Sequence, residues 1–246
     1  MVTATDISRS ESIEDVGDIS ALLSKDSVID VEIPMRGLLV RESIVISSCT
    51  RTQLEAQSSN ISHFCTGTYN YPLFIKVRGT NKVVIGKMAD LLVYKGKLRL
   101  NDFRVINQPW IDRQSERVQP QKTSFVILSS GGKRIRANLL DISTTGVCVL
   151  VPQVCVKEVE GFFDSTLSIL IEIPQKKVPL RIDAEVAQIR SISDVLLRIG
   201  LHMHPKRTQI KILDRYLTDR KREILDEAYI NFKDLLNNRG TKDLFF

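Results

Sequence analysis

The 246-residue sequence predicts a mainly β protein, with two small β-barrel-like units in tandem and a C-terminal α-helix. Three observations carry that prediction. Short apolar runs rich in Val, Ile and Leu recur from Val28 to His204, and many of them alternate with polar residues as a half-buried strand does. Gly and Asn turn signals separate them, with no helical pattern interleaved. Beyond Pro205 the apolar period changes from two to that of a helix.

The elements follow in order. Residues 1–24 form an acidic N-terminal segment expected to be mobile, without apolar periodicity to about Asp18, after which ISALLSK (19–25) reads as a short helical turn. Residues 25–108 make a first β domain. VIDVEI, LLVRESIVISSC, LFIKVRG, KVVIGKMADLLVYKG and KLRLNDFRVI read as strands, while TRTQLEAQSSNIS is polar and reads as a loop or short helix. Residues 109–122, framed by Pro109 and Pro120, read as an interdomain linker. The β pattern returns over 123–246 in SFVILSS, KRIRANLLDIS, GVCVLVP, STLSILIEIP, PLRIDAEVAQIRSI and VLLRIGLHMH, with a hairpin signal at Gly131-Gly132. Then Ile210, Leu213, Leu217, Ile224, Ala228, Phe232 and Leu235 fall at helical spacings, in one long helix or two shorter ones. Such a stripe packs on a barrel, and a helix this long can also overhang and form a homodimer.

Composition sets limits on function. A hydrophobic fraction of 43% with 26% charged residues is that of a globular protein, and no apolar run approaches bilayer length. The polar, acidic N-terminus lacks the basic and apolar regions of a signal peptide, so a cytoplasmic location is expected, without membrane insertion. Cys49, Cys65, Cys148 and Cys155 form no C-x-x-C unit and read as reduced thiols. A net charge of +6 favours an anionic partner. Stacking on nucleic acid is disfavoured, because only 6% of residues are aromatic and the single Trp, Trp110, lies in the linker.

Enzyme signatures are lacking: there is no P-loop, GxGxxG, GxSxG or zinc-spaced Cys/His set. His202 and His204 share one face of a strand in LHMHP, but the sequence offers no further ligand, so no metal and no catalytic cofactor is expected. His63 has no evident role. Without a general base near a nucleophile, a binding protein is expected rather than an enzyme.

Two features do point to a ligand. The linker carries Arg113-Gln-Ser-Glu-Arg117, two guanidiniums whose planar forks suit phosphate or the O6/N7 edge of guanine. DISTTG, Asp141 to Gly146, lies between two strands and is built of turn residues. The Asp141 carboxylate can accept from the N1 and N2 donors of a guanine, Ser143 can reach a phosphate or base, and Gly146 lets a ligand approach the backbone. Guanine with phosphate is therefore a natural ligand for this set.

The ordered pair, RxxxR in a linker and then [D/N]xSxxG between strands, resembles the PilZ domain, whose members bind cyclic di-GMP. The likeness covers about Ile111 to the chain end, and RIGLHM, Arg198 to Met203, looks like the closing strand of that family's six-stranded barrel. It implies that Arg113 and Arg117 wrap over the ligand, with Asp141, Ser143 and Gly146 as the barrel-side floor. The first β unit is then similar to the N-terminal domain of two-domain proteins of the YcgR type. Partners implied are the flagellar motor or exopolysaccharide machinery, hence motility or biofilm control. Many members carry another Arg where this chain has Asp112; fewer cations there imply one cyclic di-GMP per site rather than a stacked dimer. The alternatives are a nucleotide-independent interaction module of the same fold and a basic nucleic-acid-binding protein.

Overall fold

The computed structural model describes residues 14–15, 19–65, 72–77, 82–106, 115–162, 166–173 and 179–237. By packing, the chain divides into two units, one of Met1–Arg113 with Glu223–Phe246 and one of Gln114–Arg222.

The first unit is a β structure closed on itself. Its strands are β1 (Glu14–Asp15), β2 (Val28–Met35), β3 (Leu38–Cys49), β4 (Leu54–Ser58), β5 (Pro72–Lys76), β6 (Val83–Leu92) and β7 (Lys97–Ile106). The order is β1-β7-β4-β3-β2-β5-β6, and β6 pairs with β7 as well, so β2 to β7 close into a six-stranded ring. β4 takes Lys97–Leu100 of β7 and β1 takes Arg104 and Val105. Closure satisfies strand edges that would otherwise be open to other chains. Inward-facing residues such as Ile33, Ile44, Ile46, Ile75 and Val84 are fully buried.

Two segments of this unit depart from the sequence reading. The polar stretch expected as a loop or helix contains β4, paired with β3 and β7, followed by a 3-10 helix at Ile61–Phe64. Only Leu54 and Ala56 of β4 are buried, too short an apolar alternation to stand out among Gln, Glu and Ser. His63, given no role from sequence, pairs through Nδ1 with the buried Glu42, which also accepts from Asn60 Nδ2 at 3.1 Å. Glu14 and Asp15, in the segment expected to be mobile, pair with β7.

The second unit is a closed six-stranded barrel of β8 (Phe125–Ser130), β9 (Lys133–Ile142), β10 (Gly146–Pro152), β11 (Leu167–Ile171), β12 (Leu180–Ser193) and β13 (Leu196–His204). All neighbours are antiparallel, in the order β10-β13-β12-β11-β8-β9. The β8–β9 hairpin turns at Gly131 and Gly132, whose φ values of 54° and 80° suit the two-residue turn expected there. A short helix, α1 (Val156–Glu160), follows β10. After β13 comes α2 (Arg207–Asn237), one unbroken helix of 31 residues. Its buried positions are Leu213, Tyr216, Arg220, Ile224 and Ala228, whereas Ile210 of the expected stripe is 37% exposed. No helix among the described residues is long and apolar enough to cross a membrane.

Candidate functional site

A register shift positions the motif. Ile135, Ala137 and Leu139 of β9 face the barrel interior, and strict alternation would send Asp141 inward after them. The pairing with β10 slips instead between Cys148 and Val149: Val149 faces Leu139, but Cys148 faces Asp141 and Val147 faces Ile142. The extra residue is Leu140. Beyond this bulge the parity reverses, so Ile142 enters the core and Asp141 lies on the outer face beside Cys148.

That outer face has low relief. Gly146 pairs with His202, Cys148 with Gly200 and Leu150 with Arg198, so glycines of two adjacent strands flank the buried thiol. A Cβ on Gly146 would stand 2.8 Å from the Leu201 carbonyl oxygen, and one on Gly200 3.0 Å from Gln188 Cγ. The first contact is with backbone, which cannot swing aside. Gly146 thus lets β10 and β13 close at the end of the motif.

Charge surrounds this floor. Arg117 Nη1 donates to Asp141 Oδ1 at 3.3 Å, and Arg198 Nη2 stands 3.9 Å from Asp141 Oδ2. Arg198 Nε also donates to Cys148 Sγ at 3.0 Å. Asp141 is 7% exposed, so its charge is held where water alone would not compensate it. Arg198 was not singled out from sequence; its signal was the Arg-Ile-Gly spacing, which puts Arg198 and Gly200 on one face of a strand.

Ser143 is placed otherwise than expected. It is fully buried, and its hydroxyl donates to the Gly146 carbonyl at 3.1 Å while accepting from the N–H groups of Thr145 and Gly146 at 3.3 and 3.0 Å. The side chain therefore ties the turn together rather than reaching outward. Turn chemistry and site chemistry divide along the motif: Ser143 and Gly146 set the backbone, and Asp141 supplies the charge.

The segment carrying Arg117 has protein partners on both sides. Val118 and Ile142 exchange both backbone hydrogen bonds at 3.0 Å. The Gln119 carbonyl accepts from Arg220 Nε of α2 at 2.9 Å, and Glu116 pairs with Lys221 at 2.5 Å. Ser115 Oγ lies 3.3 Å from Thr145 Oγ1. Residues 115–119 are thus held by the protein's own contacts, and Arg117 is aimed at Asp141 by those of its neighbours. Arg113, its predicted companion, lies outside the described residues, as do Asp112 and Trp110.

The thiols give a test of this geometry. Burial raises the Cys148 thiol pKa above its ordinary value, with the Asp141 carboxylate adding in the same direction. In the first unit, burial pushes Cys65 up to about 11, which leaves about a hundredfold less thiolate than an ordinary cysteine holds near neutrality. Cys49 and Cys155 are half-buried. Titration of the native chain with an aromatic disulfide reagent at neutral pH is expected to label Cys49 and Cys155 first. Cys65 and Cys148 should react only after unfolding; fast labelling of Cys148 in the native chain would contradict the packing under Arg198.

The model of the PilZ domain family matches residues 111–219. No curated protein matches the chain. Among solved structures, the chain is similar to the Bacillus subtilis inhibitor of motility MotI/DgrA, with 15% identity, TM-score 0.38, and coverage of 82% of this chain and 99% of that one. It is also similar to the complex of K. pneumonia MrkH with c-di-GMP, at 11% identity and TM-score 0.44 over 89% of this chain and 100% of that one. A third is YcgR of Escherichia coli in complex with c-di-GMP, at 14% identity and TM-score 0.41 over 81% and 87%. Residues 111–219, which span the Arg117 segment, the DISTTG turn and the closed barrel, belong to the PilZ domain family.

Proposed function

We propose that the chain is a cytoplasmic receptor for cyclic di-GMP, a binding protein rather than an enzyme. The observation that carries the reading is the meeting of Arg117 and Asp141, 3.3 Å apart, on the outer face of a barrel within the PilZ region. Arg117 and Arg113 supply forks for phosphate and for the O6/N7 edge of guanine. Asp141 has lone pairs left to accept from guanine N1 and N2, and the low floor at Gly146 and Gly200 admits a flat base. Ser143 contributes through the shape of the turn.

The ligand's grip on both linker and barrel favours whichever domain arrangement binds it better, and the reoriented surface meets a downstream partner. That partner is proposed to belong to the flagellar motor or to exopolysaccharide synthesis, as is common in the family. One cyclic di-GMP per chain is expected, because Asp112 replaces a cation that would help hold a four-phosphate stacked dimer.

A second reading, a nucleotide-independent docking module, draws on the fact that both Asp141 oxygens already face guanidiniums. Calorimetric titration of the whole chain with cyclic di-GMP, GMP and cyclic AMP separates the two. Saturable binding of cyclic di-GMP alone, at one per chain, is expected. The Arg113→Ala and Arg117→Ala substitutions should each cost at least about 1.5 kcal/mol of binding. Wild-type affinity in the double variant would sink the site, and two ligands per chain would sink the stoichiometry.

A further inference from the structure

The structure gives the two histidines of LHMHP what the sequence could not show, a third donor from another strand. β12 and β13 pair antiparallel with Glu185 opposite His202 and Asp183 opposite His204. Directly paired residues point to the same face of a sheet, and residues two apart share it too. Both histidines and both carboxylates therefore stand on the outer face of the barrel. His204 Nε2 lies 3.6 Å from Glu185 Oε1, and the two imidazole rings are 5.0 Å apart, edge to face. One donor atom from each of Glu185, His202 and His204 falls within 4.8 Å of the other two.

We propose that Glu185, His202 and His204 form a binding site for a divalent transition cation, zinc foremost. Two imidazole nitrogens and a carboxylate oxygen are a donor set that zinc accepts, and they suit it far better than calcium or magnesium, which take mainly oxygen. Around a tetrahedral zinc with bonds of about 2.0–2.1 Å, ligand atoms stand about 3.4 Å apart. The spacings here come to that value by small torsional adjustments, which exposed side chains make freely. The backbone needs no change, since all three residues sit on paired strands rather than on loops. A surface ion pair between His204 and Glu185 would use only one histidine; the second ring is what makes the group a chelate. The fourth position is open to water or to Asp183, on the same face opposite His204. On its other side His202 faces Gly146, which has no side chain to crowd the ring.

The test is calorimetric titration of the full chain with zinc chloride, alongside cobalt(II) absorption. Saturable binding of one zinc per chain is expected, with a tetrahedral cobalt spectrum lacking a thiolate charge-transfer band. His202→Ala, His204→Ala and Glu185→Ala should each weaken zinc binding at least about tenfold, while His63→Ala, in the other unit, should leave it unchanged. The three positions are exposed, so the variants should keep the wild-type circular dichroism and melting curve. The site is overturned if the His202→Ala/His204→Ala chain binds zinc as tightly as wild type, if the cobalt spectrum shows thiolate ligation, or if the wild type binds no zinc saturably.

Discussion

Asp141→Ala is expected to abolish measurable cyclic di-GMP binding and to destabilise the second unit by about 1–3 kcal/mol, because it strands two guanidiniums that now face one carboxylate. Breaking a fully buried pair costs about 3–5 kcal/mol; the figure here is lower because the Arg117 side chain is 31% exposed and water recovers part of its charge. Asp141→Asn separates the two roles. It keeps the side chain's size and one carbonyl acceptor but loses the charge that draws Arg117 and Arg198 together. Binding should fall at least about tenfold, the worth of a charge-assisted hydrogen bond, with a smaller loss of stability. Calorimetry and chemical denaturation of the two variants check both halves. If Asp141→Ala binds the nucleotide like wild type, Asp141 is not part of the site.

Gly146→Ala is expected to damage the same site by a different route. The new methyl would stand 2.8 Å from the Leu201 carbonyl oxygen, so β10 and β13 must part at the Gly146–His202 pair. Overpacking of this kind costs about 1–3 kcal/mol, and here it also displaces the turn that Ser143 ties. Nucleotide binding should drop with stability, and the second unit should melt several degrees lower. Gly161→Ala is the control. Gly161 caps α1 at an ordinary φ of −66°, and an added Cβ would come no nearer than 3.4 Å to the Glu158 carbonyl oxygen. That variant should melt and bind as wild type does. Equal damage from both substitutions would mean that the turn has no special dependence on Gly146.

The two substitutions also separate what local sequence carries from what pairing carries. DISTTG was legible as a turn because Ser and Gly make turns by themselves, through bonds to backbone only a few residues away. The placement of Ser143 could not be read for the same reason. A hydroxyl that closes its own turn is spent there, and nothing in the one-dimensional pattern says whether it points in or out. The role of Arg198 went unnoticed because it meets Asp141 over the intervening strand β10, on the outer face, which depends on strand order. His202 and His204 were visible as a pair, whereas Glu185 joined them only through the β12–β13 register.

Legible in the sequence were the β-rich character of both units, most of the strands, a helical period after Pro205 that fits one helix or two, and the motif pair that marks the PilZ region. These follow from period, propensity and turn chemistry, which act over a few residues. Tertiary structure alone decided which face each motif residue presents. The bulge at Leu140 turns Asp141 out of the core, and the pairing of Val118 with Ile142 carries Arg117 to it. Such decisions rest on registers between strands distant in sequence, where a slip of one residue reverses every side chain.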